Sequence, residues 1–131
     1  MSNVIAFPLA SSHNEPAESE RVLSKAVVRA AEWLGVNNAV LAEIIDLPAT
    51  AVNRLHDGRL HIKEDSASFQ HAADFVAVFT SLHMKFAADS YIARQWMTND
   101  NTVLYEPPVL RMQRSGGLAA VRAYVETSSI P

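Results

Sequence analysis

Apolar residues recur at three- and four-residue spacings from Arg21 to Val125, and Gly35, Leu47-Pro48, Gly58, Pro107-Pro108 and Gly116-Gly117 punctuate the pattern. Such spacing lines one face of an α-helix, whereas a half-buried strand needs strict alternation, so the chain is expected to be all-α. Proline tolerates the first turn of a helix and glycine suits the residue after its end, so the interruptions read as starts and stops.

Residues 1–20 precede this pattern. They combine Pro8, Asn14, Pro16 and four serines with little periodicity, and are expected to form a flexible arm whose Val4-Ile5-Ala6-Phe7 run is too short to assign. From Arg21, Val22, Leu23, Ala26, Val27, Ala30, Trp33 and Leu34 predict a helix stopped at Gly35, with Trp33 as a core anchor. Asn37 or Asn38 can cap a second helix carrying Val40, Leu41, Ile44 and Ile45, closed by Leu47-Pro48. Ala49 to Asp57 give a third short helix, ended by Gly58. Two short helices joined tightly and packed on a longer one make a helix-turn-helix unit over residues 21–65, with small Ala42 allowing close approach and Leu47 and Val52 sealing the turn.

In that arrangement Val52 and Leu55 face inward, while Thr50, Asn53, Arg54 and His56 face outward. Arginine can bridge guanine acceptors or a phosphate, and asparagine can pair with adenine through two hydrogen bonds, so these residue types suit groove contacts. Arg59, His61 and Lys63 extend the basic side toward phosphates. The alternative is a solvated polar face on a fold whose DNA role has faded. Net charge decides little between the two. The chain carries 11 basic and 14 acidic residues, or −3 overall, yet residues 21–63 hold six basic and four acidic residues, or +2. A nucleic-acid face is permitted there but not demanded.

Residues 66–131 read as a helical dimerisation and partner-binding unit. A long helix over 66–83 carries Phe69, Ala72, Ala73, Val76, Phe79 and Leu82 on a stripe widened by Phe75, Val78 and Met84, so that one side can be buried internally and the other can meet a second copy. The alternative spends the whole stripe on a monomer core. A helix over 87–97 is expected to hold Tyr91, Ile92 and Met97 near the core, with Arg94 and Gln95 outside. A polar loop then displays Leu104, Pro107-Pro108 start a short helix with Val109, Leu110 and Met112, and the glycine pair precedes a last helix with Leu118, Val121, Tyr124 and Val125 inward and Arg122 and Glu126 paired outside at i,i+4.

Trp96-Met97, Asn101, Leu104, Pro107-Pro108-Val109-Leu110, Gly117 and Val121 follow an ordered pattern that resembles the toxin-binding module of the Xre/MbcA/ParS type II antitoxins; the resemblance covers about residues 21–127. It implies an antitoxin that occludes an NAD-degrading RES-domain toxin through its carboxy-terminal module, binds its own promoter through the other end, and forms a homodimer. By the same resemblance the segment from Leu104 through Tyr124 meets the toxin, which brings in Tyr105, and the tail at Ser128-Ser129 approaches the toxin's NAD cleft. Arg111, Arg114 and Arg122 are the charged candidates for that contact. Tyr105-Glu106 stand where the family places a glycine-rich turn, a departure that asks unusual backbone angles of bulky residues. A DNA-binding regulator without a surviving toxin partner is the alternative.

Catalysis is not expected. The chain has no cysteine, and His13, His56, His61, His71 and His83 do not fall in an HExxH pattern, so neither thiol chemistry nor a familiar metal site is indicated. There is no GxxxxGK phosphate loop and no GxSxG nucleophile elbow. No cofactor or metal is expected. No apolar run approaches a bilayer span, and the first ten residues lack the build of a signal peptide, so the expected location is the cytoplasm, with no membrane partner.

Overall fold

The computed structural model describes residues 15–128. All regular structure among them is helical: α1 (Glu18–Leu34), α2 (Asn38–Ile45), α3 (Ala49–His56), α4 (Ala67–Lys85), α5 (Ser90–Thr98), α6 (Pro108–Arg111) and α7 (Gly117–Thr127). The all-α expectation holds, with each expected helix present. Residues 1–14 of the arm, including Val4 to Phe7, lie outside the described residues.

The first helix begins three residues before Arg21. Glu18 and Glu20 stand in its first turn, where carboxylates suit the positive end of the dipole, and Glu20 reaches back so that Ala17 N donates to its Oε1 at 3.0 Å. At the other end Gly35 adopts φ 73°, the left-handed angle of a helix stop. Arg94 of α5 lies against this turn and donates from Nε and a terminal nitrogen to the carbonyls of Trp33 and Glu32, at 3.0 and 2.7 Å, satisfying acceptors that the end of α1 leaves open. Asn37 caps α2 by accepting from Val40 N at 2.9 Å, and Ser66 and Asp89 cap α4 and α5 in the same way.

The core is continuous through the molecule. Val27, Ala30 and Leu34 of α1, Leu41 and Ile45 of α2, and Val52 and Leu55 of α3 are buried with Ala72, Phe75, Val78 and Leu82 of α4. On its other side α4 packs against α7, which contributes Leu118, Val121 and Val125. Most of the stripe expected to divide between core and second copy serves the monomer core, against which Phe69, Val76 and Phe79 are partly buried, while Met84 at its end is 76% exposed. The reason is position, since α4 lies between α1 and α7 and has apolar neighbours on both flanks. A second correction concerns α5. Tyr91 and Ile92 are exposed, and the residues it buries are Ala93 and Met97. The inward face of α5 is centred one position later than the apolar pattern suggested.

Each tryptophan sits at a seam. Trp33 of α1 meets Phe79 edge-on at 5.3 Å and His83 at 5.1 Å, both from α4, while Trp96 of α5 stacks over Tyr124 of α7 at 6.4 Å. At the start of α7, Gly117 runs so close to α6 that a Cβ there would fall 1.7 Å from the carbonyl oxygen of Arg111. Only glycine permits that approach.

Candidate nucleic-acid interface

The short helix α3 buries Val52 and Leu55 and exposes Thr50, Asn53 and Arg54. With about 100° between successive residues, positions 50, 53, 54 and 57 share the outward face. Asp57 is on that face as well, but Arg59 donates to its carboxylate at 3.2 Å and offsets the charge. Asn53 Oδ1 accepts from Asn38 Nδ2 of α2 at 2.8 Å, which fixes the amide where the two helices meet and leaves its Nδ2 to donate outward. His56 departs from the expected outward set. It turns toward α1, with Nδ1 3.8 Å from Glu32 Oε2 and Nε2 buried without a partner, because its place on the helix lies between the buried positions and the outward stripe.

The basic segment after α3 carries Arg59, His61 and Lys63, and Arg59 and Lys63 are exposed. Two buried polar side chains of α1, one turn apart, hold its backbone. Ile62 N donates to Ser24 Oγ at 2.9 Å, and Glu64 N donates to Glu20 Oε2 at 2.8 Å. Ser19 also bonds Glu64 through its hydroxyl. Backbone donors from Glu64 and Ala17, in that order, hold the Glu20 carboxyl below the ordinary glutamate value, helped by the charge of Lys63. Glu20 and Ser24 therefore position the segment. Reading residues 1–20 as an arm hid the role of Glu20; the pair of first-turn carboxylates, Glu18 and Glu20, ahead of an apolar run is the helix-start signal that exposes it.

The carboxy-terminal residues singled out in the sequence do not form one open face. Leu104 is buried, 7% exposed, rather than displayed. The cause is Asn101, whose Oδ1 accepts from Val103 N and Leu104 N at 3.0 Å each and folds the loop into a tight turn that sends Leu104 inward. Its neighbours go the other way: Val103 is 58% and Tyr105 is 89% exposed. Tyr105 has φ 67°, the left-handed region that bulky residues seldom occupy, and its amide donates to Asn101 O at 2.7 Å.

The charged candidates are engaged internally. Arg114 donates to Glu106 at about 3 Å and Arg111 lies 3.9 Å from the same carboxylate. Arg122 bridges Asp74 at 2.7 Å and Glu126 at 3.1 Å. Tyr124 is half-buried against Trp96, and the Ser128 carbonyl accepts from Lys85 Nζ at 3.2 Å. Ser129 lies outside the described residues. Sequence reasoning missed exposed Val103 and Leu110; their place beside inward Leu104 and Pro108 becomes legible only once Asn101 is read as a turn former.

No group of three or more His, Asp or Glu among the described residues is gathered as a metal ion would require. No helix among them is long and apolar enough to cross a membrane.

Residues 14–67 match the family described as the antitoxin Xre-like helix-turn-helix domain, so the chain carries an Xre-like helix-turn-helix domain at its amino-terminal end. This class of domain is regulatory and DNA-binding rather than catalytic. The match stops at the first residue of α4, and the helices that follow lie beyond it. No curated protein matches the chain.

Proposed function

We propose that this chain is a transcription regulator that reads a promoter through α3. The observation that carries the reading is the outward stripe of Thr50, Asn53 and Arg54, set beside a basic segment pinned by Glu20 and Ser24, within a domain of the Xre-like class. Arg54 and Asn53 would contact base edges, and Arg59 and Lys63 phosphates, with Thr50 on either. His56 falls outside the contact set because it faces α1. A homodimer working in the cytoplasm belongs to the same reading, since two copies can set two α3 helices into successive grooves of a palindrome. Its seam would have to use a face other than the inward stripe of α4.

The test is retention of the duplex upstream of the gene at several salt concentrations. Arg54→Ala with Arg59→Ala should weaken binding and lower the salt slope by about one for each phosphate that is no longer neutralised. An unchanged slope and affinity would remove this face from DNA binding.

A second reading makes the same chain an antitoxin for a RES-type toxin, with residues 66–131 as the toxin-binding unit. Strained, exposed Tyr105 favours it, because an aromatic held at a left-handed angle in the open costs stability without a gain inside the monomer. Tyr105, Val103 and Leu110 would supply apolar contacts. Arg111, Arg114 and Arg122 would act through the shape of the loop, since reversing Arg111 and Arg114 would also unseat Glu106. Coexpression with the neighbouring open reading frame tests this: no complex and no growth rescue would end the toxin pairing and leave the regulator reading standing.

A further inference from the structure

The flank of the first helix carries a feature that neither DNA reading nor toxin binding uses. Between α1 and the end of α3 runs a groove of about 620 Å³. Along one rim stand Arg21, Lys25 and Arg29, one helical turn apart over about 12 Å. All three are exposed, and none has a carboxylate partner among the described residues. The interior is apolar, formed by Val28, Leu55 and Leu60, and Val22 stands 60% exposed at its mouth. His56 lines the same groove, its Nδ1 3.8 Å from Glu32, which closes the end of the cationic rim.

We propose that this groove docks an acidic peptide segment with apolar anchors, presented by another protein. Carboxylates repeating at one-turn intervals would meet Arg21, Lys25 and Arg29, and apolar side chains would cover Val28, Leu55 and Leu60. This is helix-in-groove recognition with a charged rim. A nucleic-acid strand fits less well. Its phosphates would match the cations, but it offers no apolar side chains for the groove, and the outward stripe of α3 is turned to a different side from buried Leu55. A small anion would engage one of the three cations and leave two idle.

The probe is an amidated peptide of about twelve residues built from alternating Glu and Leu pairs, titrated into the full-length isotope-labelled chain and followed by amide shifts. Shifts should concentrate in residues 21–29 and 55–61. Lys25→Glu with Arg29→Glu should weaken binding at least about tenfold, as expected for reversed charges at a complementary rim. Val22→Ser, at an exposed position, should weaken it several-fold with the charges intact. A counterpart peptide with Lys in place of Glu should not bind. Absence of shifts at millimolar peptide would overturn the proposal, as would equal binding of the Lys peptide. Shifts at the α1 groove produced by a DNA duplex but not by the peptide would reassign the surface to nucleic acid; duplex shifts confined to α3 bear only on promoter reading.

Discussion

The outward residues of the amino-terminal half ride on a regular helix, α3, while those of the carboxy-terminal half ride on residues 101–107, where helix is absent. The first set is held by bonds from neighbouring elements: Asn38 to Asn53, Ser24 to the Ile62 amide and Glu20 to the Glu64 amide. The second is held from within its own segment, through the Asn101 side-chain turn, the left-handed Tyr105 and the glycine that lets α7 approach α6. A surface built in the first way tolerates exchange of its outward side chains, because the scaffold lies elsewhere. One built in the second way couples display to strain, and substitutions there change stability and presentation together.

The largest effect is expected at Gly117. Gly117→Ala would drive a methyl group into the Arg111 carbonyl, and neither backbone can yield without separating α6 from α7. We expect a loss of about 3 kcal/mol, the upper end of the usual range for overpacking, although alanine is the better helix former. Thermal and denaturant melts measure it, and a cost under about 1 kcal/mol would mean that the close approach at this glycine does not organise the carboxy-terminal half.

Tyr105→Gly has a smaller effect of opposite sign. Relief of the left-handed angle is worth about 1–2 kcal/mol. Glycine's greater chain entropy returns about 0.5–1 kcal/mol. A net gain of about 0.5–1 kcal/mol in urea denaturation is expected, together with weaker toxin binding if that partner exists. Lower stability in the variant would show that the tyrosine ring props up the loop.

The smallest effect is confined to acid. The Glu20 carboxyl is held below its ordinary value of 4.5, so the unfolded chain takes up this proton before the folded one does. Its contribution is complete above the ordinary value and is lost as pH falls through the depressed one. Glu20→Gln should therefore flatten that part of the stability profile below about pH 4.5 while changing its shape little near neutrality. Parallel acid profiles for the two proteins would dismiss the Glu20 lock.

Helix identity was legible because periodicity, caps and glycine stops agreed along the chain. Asn37, Ser66 and Gly35 each act as their residue types indicate. The facing of α3 followed from Val52 and Leu55 alone. What escaped was decided by non-local partners. Tyr91 and Ile92 look as apolar as Met97, and only the placement of α5 against α1 turns them out. Leu104 resembles a displayed residue until Asn101 is seen to collect two amides. Arg111 and Arg114 read as free cations, and Arg122 as paired with Glu126 alone, because Glu106 and Asp74, the carboxylates that also hold them, lie 5 to 48 residues away in sequence. The family match shows the same limit in another form. It ends where α4 begins, yet α4 supplies the apolar cover of α1, so the matched segment borrows part of its core from outside itself.

The placement of the two indoles gives the molecule a built-in optical readout of each half. Trp33 lies against the Phe79 and His83 rings, whereas among the described residues Trp96 stacks on the Tyr124 ring. Emission from Trp33 thus tracks the α1–α4 seam. Emission from Trp96 tracks the α5–α7 seam, with Tyr124 close enough to feed it excitation. Single-tryptophan versions would therefore follow one half at a time, without an attached dye, as DNA or a protein partner is added.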